Sequence, residues 1–180
     1  MDLLDVVFDG LANVGCGCGN PDFPGIIENM KNKSLRSMMM VRELQKADID
    51  RVAAIWLEAN LKAHHFISDQ YWKCHFDLVK EMLLQAKVYL YEKDQEIQGF
   101  IGMNGEYIEG IFVSDEMQSQ GIGKILLDYI KGKRNKLLLN VYQKNTRAIS
   151  FYQREGFEIQ SSGLDEATGE KDYEMVWQQK

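Results

Sequence analysis

Long hydrophobic runs are missing from this sequence. No stretch approaches the roughly 18–20 apolar residues that a helix needs to cross a bilayer. The opening MDLLDVVFDG carries acids where a secretory signal would carry Lys or Arg, so no signal peptide is expected. Cysteine is scarce. Cys16, Cys18 and Cys74 are too few, and odd in number, for a disulfide framework, which points to a reducing cytoplasm. The two prolines, Pro21 and Pro24, both fall near the start. A basic excess is also lacking. The formal charge is −6 with no block of one sign. A nucleic-acid binder needs a basic face to hold phosphates, so that class is disfavoured. The acidic balance suits a cationic substrate instead. His and carboxylate residues show no metal-ligand spacing, and Cys16-Gly-Cys18 offers two ligands where a tetrahedral site needs four.

What is present divides at about Ser37. Residues 1–37 hold both prolines and the cluster GCGCGNPDFPG, whose Gly and Pro density forbids a regular element. This part reads as a flexible extension, a small interaction element or a fused leader. Residues 38–180 read as one domain, and 45% hydrophobic residues is ample for its core.

The pattern from residue 38 onward is regular. MMVREL predicts a strand. Ile49, Val52, Ala53, Trp56, Ala59 and Ala63 form a helical stripe. Ser68 caps a second helix, DQYWKCHFDLVKEMLLQ. KVYLYEK, IQGFIGMN and YIEGIFV predict three strands with short turns between them. A helix follows from Gly121 to Gly132, with Ile122, Ile125, Leu126, Tyr129 and Ile130 as its apolar stripe and Lys124, Asp128 and Lys131 toward water. KLLLNVY is a strand, and TRAISFYQRE is a helix stopped by Gly156. FEIQSSG and KDYEMVWQ close the chain as a hairpin. The order predicts a mixed α/β (α+β) architecture, one sheet with helices on both faces.

The chemistry-bearing stretch is QSQGIGK, Gln118 to Lys124. A helix start exposes unpaired N–H groups and a positive dipole, and two glycines let an anion approach the backbone. A P-loop is excluded, because Gln118 stands where its first glycine would be and Ile125 follows Lys124. A dinucleotide fingerprint is excluded by Leu126. Gly-x-Gly alone fits a plain helix start equally well.

Gln118-Ser-Gln-Gly-Ile-Gly-Lys124 resembles the Q/R-x-x-G-x-G/A acetyl-CoA motif of the GNAT superfamily of N-acetyltransferases. LNVYQKNTRAISFYQREGF resembles the next block of that family, and the two blocks stand in the family's order. The resemblance covers about residues 38–180. It implies a GNAT-like fold, mainly antiparallel, whose fourth and fifth strands splay near a β-bulge. It implies acetyl-CoA in that cleft, with the pantetheine arm on the backbone of Ile111, Phe112 and Val113. The pyrophosphate would lie on the amides of Gln118, Ser119, Gln120, Gly121, Ile122, Gly123 and Lys124.

The implied reaction is attack of an amine on the thioester. Glu109 is the candidate base, with ordered water or a plain sheet-edge carboxylate as the alternatives. Tyr152 is the candidate acid to the CoA thiolate, against the reading of a core aromatic. Asn140 and Asn145 are candidate CoA contacts, and Asn145 competes for a helix N-cap role. His64, His65 and Phe66, between the first two helices, are candidate acceptor-site residues, with Tyr71 and Trp72 as an aromatic wall. Cys74 and His75 point apart and make no nucleophile pair. The resemblance implies a small-molecule or protein amine as acceptor, no nucleic acid or membrane partner, and a monomer or homodimer. The competing reading is an inactive acyl-CoA-binding sensor.

Overall fold

The computed structural model describes residues 39–179, so the extension predicted for residues 1–37 lies outside the described residues. The chain runs β1 (Met39–Glu43), α1 (Ile49–Ala63), α2 (Asp69–Cys74), α3 (Phe76–Leu83), β2 (Lys87–Lys93), β3 (Glu96–Asn104) and β4 (Tyr107–Val113). It continues through α4 (Ile122–Lys131), β5 (Lys136–Tyr142), α5 (Thr146–Arg154), β6 (Glu158–Asp165) and β7 (Glu170–Gln178).

These strands form one seven-stranded sheet in the order β1-β2-β3-β4-β5-β7-β6. All neighbours are antiparallel except β4 and β5, which are parallel. The mixed, mainly antiparallel sheet expected from the sequence is therefore present. Strand residues alternate faces. In β2, Val88 and Leu90 pack beneath α1 and α3, with Val52, Ile55 and Phe100. Tyr89 and Tyr91 point the other way, into the core under α4 with Leu126 and Leu139. Both faces are covered, and so Val88 through Tyr91 are all buried. A tight turn at Asp94 and Gln95, both at positive φ, returns the chain into β3.

Three local readings need correction. The second helix divides at His75, whose ring Nδ1 lies 2.7 Å from the Tyr71 carbonyl while its backbone N–H goes to Lys73. The side chain thus takes the carbonyl that a continuing helix would use. On α1, Ile55 is buried and Ala63 is exposed, so the stripe is rotated from the one predicted. On α4, Leu127 is buried and Ile125 is 40% exposed, while Lys131 folds back to donate to the Glu155 carbonyl.

The segment before α1 is clasped by charge. Arg42 on β1 donates to both oxygens of Asp48, at 2.6 and 3.0 Å, and to Glu92 on β2 at 2.7 Å. Asp48 also accepts the Gln45 N–H at 2.8 Å. This arrangement holds the Asp48 carboxyl below its ordinary range and fixes where α1 leaves the sheet.

Candidate active site

The sheet opens between its two parallel strands. β4 and β5 share one register pair, Tyr107 with Leu138, together with a bond from the Leu138 N–H to the Glu106 carbonyl. Beyond it β4 pairs only with β3. The β3–β4 register shifts between Gly102 and Met103: Gly110 faces Gly102, and Ile108 faces Met103. Glu109 is left over between them, which makes it the bulged residue. The bulge turns its side chain into a cavity of about 200 Å³ at the strand parting.

The side chains around that cavity come from both walls of the parting. Glu109 comes from β4 and Tyr152 from α5. Asn140 and Tyr142 come from β5, and Asp172 from β7. Above the sheet, Trp56, Trp72 and His64 supply an aromatic roof. The Gly110 backbone permits this shape, because a Cβ there would stand 2.4 Å from the Phe112 ring.

Burial pushes the Glu109 carboxyl up to about 8, against an Asn104 hydrogen bond that lowers it. One of its oxygens is buried without a partner among the described residues. The Tyr152 hydroxyl is pushed well above its ordinary value by burial and so remains protonated. Tyr107 is also raised, first by burial and then by the charge of Glu109; its hydroxyl accepts the Asn140 N–H at 3.1 Å.

His64 stands within a chain of hydrogen bonds. Asn145 caps α5, its Oδ1 accepting the Ala148 N–H at 3.1 Å. Its Nδ2 is therefore a donor, and it meets His64 Nε2 at 3.2 Å. Asn60 Nδ2 donates to the Trp56 carbonyl, which leaves Asn60 Oδ1 to accept from His64 Nδ1 at 2.9 Å. The network assigns the proton to Nδ1. Burial, and secondarily His65, pushes His64 down to about 4, so the ring is neutral. It also stacks on Trp72. His65 is exposed, and both His65 and Phe66 stand outside the cavity lining.

The glycine loop lies at the outer side of the parting. Gly121 has φ +84° and caps α4, whose first backbone bond runs from Ile125 N–H to the Gly121 carbonyl. The N–H groups of Ile122, Gly123 and Lys124 thus have no helical partner. The Ile122 side chain is core. Lys124 Nζ is held by Asp128 at 3.1 Å and Glu155 at 3.0 Å, on the water-facing side where the helix stripe places it. One expectation is corrected here. Phe112 turns its carbonyl toward β3, 2.8 Å from where a Gly99 Cβ would stand. The outward backbone groups are consequently those of Ile111 and Val113, and the Val113 carbonyl already accepts from the Gln118 side chain at 3.3 Å. Ser119, at φ +63°, and Gln120 are exposed on this loop.

Residues 85–159 match the family model described as an acetyltransferase (GNAT) domain. The chain is 34% identical over 140 residues to the peptidyl-lysine N-acetyltransferase YiaC of Escherichia coli, covering 77% of this chain and 96% of that protein. The chain belongs to the GNAT acetyltransferase family. Its enzyme class is acyltransferase.

A second GNAT relative, the peptidyl-lysine N-acetyltransferase YjaB of Salmonella typhimurium, is 30% identical over 123 residues, covering 68% of this chain and 85% of that protein. The fold matches the solution structure of apo YjaB from Escherichia coli with a TM-score of 0.72 at 20% identity, over 79% of this chain and 99% of that one. It also matches PaiA N-acetyltransferase of Thermoplasma acidophilum, solved with coenzyme A, with a TM-score of 0.68 at 20% identity, over 78% and 99% of the two chains.

Sequence reasoning missed several residues of this GNAT cavity, among them Asn60, Tyr107, Tyr142, Asp165, Asp172 and the roof residue Trp56. It also missed Arg147, which reaches from α5 to Gln118 Oε1 at 2.8 Å and Ser119 Oγ at 3.1 Å on the glycine loop. Arg147 had a readable signal, a cation two residues past Asn145. Asp172 had none, since an acid in an alternating strand reads as solvent-facing.

Proposed function

We propose that the protein transfers the acetyl group of acetyl-CoA to a primary amine, with a protein lysine side chain as the acceptor class. The carrying observation is that Glu109, on the bulge, and Tyr152, on α5, face one cavity at the strand parting. The names of the two curated relatives support lysine as acceptor. The unpartnered amides at the start of α4 suit a pyrophosphate, and the outward groups of Ile111 and Val113 suit an extended amide-bearing arm.

The acceptor ammonium loses two N–H protons on its way to the amide. Glu109 takes one and passes it to water. The amine nitrogen then attacks the thioester carbonyl, and the C–S bond breaks. The departing thiolate receives the Tyr152 hydroxyl proton, which the second N–H proton replaces. Asn140, Asn145 and His64 orient the walls, since their polar atoms are bonded to neighbouring residues.

Calorimetric titration of acetyl-CoA, followed by thiol-release assays with a lysine peptide, tests this reading. Binding that Gly121→Glu abolishes, and turnover that Tyr152→Phe lowers, are expected. Saturable binding without thiol release would favour the sensor reading, and absence of binding by the folded wild type would refute both.

A further inference from the structure

Among the described residues three carboxylates line the cavity, Glu109, Asp165 and Asp172, and no Lys or Arg does. Asp165 is fully engaged: it accepts from the Tyr142 hydroxyl, from Thr168 Oγ1 at 2.9 Å and from the Ala167 N–H at 2.9 Å. Asp172 is not. It is 6% exposed, and its Oδ2 accepts from Asn140 Nδ2 at 2.7 Å. Its Oδ1 is buried with no partner among the described residues. Gly163 makes room for that oxygen, since a Cβ there would stand 2.7 Å from it.

A buried carboxylate oxygen without a donor is costly, so its retention calls for an explanation. Asp172 pairs with Tyr142 across β7 and β5, which sets it on one wall of the parting. Glu109, with the other orphaned oxygen, stands on the β4 wall. Tyr107 senses both, since the charges of Glu109 and Asp172 each raise its phenol.

We propose that Asp172 holds the ammonium of the acceptor on the β5–β7 wall, opposite Glu109, so that the pocket selects acceptors as primary ammonium cations. This rests on the amine-acceptor reading above. An ammonium carries three N–H donors on a compact charge, enough for the Asp172 carboxylate and neighbouring acceptors of the lining. Trp56 in the roof adds an aromatic ring that attracts a cation. A hydroxyl-bearing acceptor of the same length brings a single donor and no charge to set against the Asp172 carboxylate. Asp172 is a binding residue in this scheme, distinct from the base.

The test compares wild type with Asp172→Asn, whose amide oxygen can keep the Asn140 bond. Steady-state thiol release uses acetyl-CoA and an Nα-blocked lysine amide. The amine KM is expected to rise at least tenfold, with kcat within about threefold and acetyl-CoA affinity unchanged. A readout without turnover is calorimetric binding of pentylammonium and of 1-pentanol. Wild type prefers the ammonium, and Asp172→Asn loses that preference. Equal KM values, or equal pentylammonium binding by the two proteins, would overturn the proposal, as would a loss confined to kcat. Should Asp172→Asn not fold, Gly163→Ala displaces Oδ1, and the same rise in amine KM is required of it. A wild type that turns over no amine speaks against acetyl transfer, while the pentylammonium comparison still decides the role of Asp172.

Discussion

The Tyr107 hydroxyl accepts the backbone N–H of Asn140 at 3.1 Å across the point where β4 and β5 part. Tyr107 is also the last β4 residue with a β5 partner. One side chain thus ends the parallel ladder and satisfies the first amide that the ladder abandons. Separating two strands costs unpaired backbone groups, and the phenol offsets that cost at the cavity mouth.

Tyr107→Phe removes this acceptor and orphans the Asn140 N–H. Asn140 is exposed, so a loss of about 0.5–1.5 kcal/mol is expected, seen as a Tm lower by roughly 1–5 °C. The amine KM should change as well, since Asn140 orients Asp172. An unchanged Tm in thermal unfolding would mean that water replaces the phenol there.

Burial pushes Glu109 up to about 8, and with Glu109 as the proposed base an alkaline limb is expected. The basic form grows as pH rises, so kcat/KM should climb through pH 8 and level off above it. Glu109→Gln should lose 10²-fold or more in kcat and flatten that limb. The stability sign runs the other way. A carboxyl whose folded value lies above its unfolded value favours folding only while protonated, so the wild type loses stability between about pH 4.5 and 8. Glu109→Gln should therefore gain Tm over the wild type across that window. A constant Tm difference from pH 4 to 9 would contradict the burial of this charge.

Arg147 braces the glycine loop through Gln118 and Ser119. Arg147→Ala should weaken acetyl-CoA about three- to tenfold by calorimetry, with Tm little changed, because the residue is exposed. Gly121→Glu adds a carboxylate at the proposed pyrophosphate site and a side chain at φ +84°. Its expected loss of acetyl-CoA affinity exceeds 100-fold. Equal losses in the two variants would mean that loop order matters and the helix terminus does not.

Much of this fold could be read from sequence because its strands stand out as short runs rich in apolar and β-branched residues between turn residues. KVYLYEK, YIEGIFV and KLLLNVY are β2, β4 and β5 to the residue. The break at His75 could not be read, since it depends on a ring bonding a carbonyl four residues earlier. The candidate site divides similarly. Glu109 and Tyr152 follow from a motif in chain order, and both reach the cavity. Asp172 reaches it only because β7 docks on β5, placing β6 at the sheet edge. That docking is a long-range event, and nothing local to KDYEMVW distinguishes its acid from the exposed residues along β6.

Tyr152 separates a catalytic phenol from a core aromatic. Its ring packs edge-on to Phe151 and Phe157, so Phe keeps the packing. Its hydroxyl makes no hydrogen bond among the described residues, so removal costs little stability, and Tyr152→Phe should match or exceed the wild-type Tm. The thiolate would lose its proton donor, and kcat should fall about 10²- to 10³-fold with the amine KM within about threefold. A folded Tyr152→Phe with wild-type kcat would return the residue to the core and leave thiolate protonation to water.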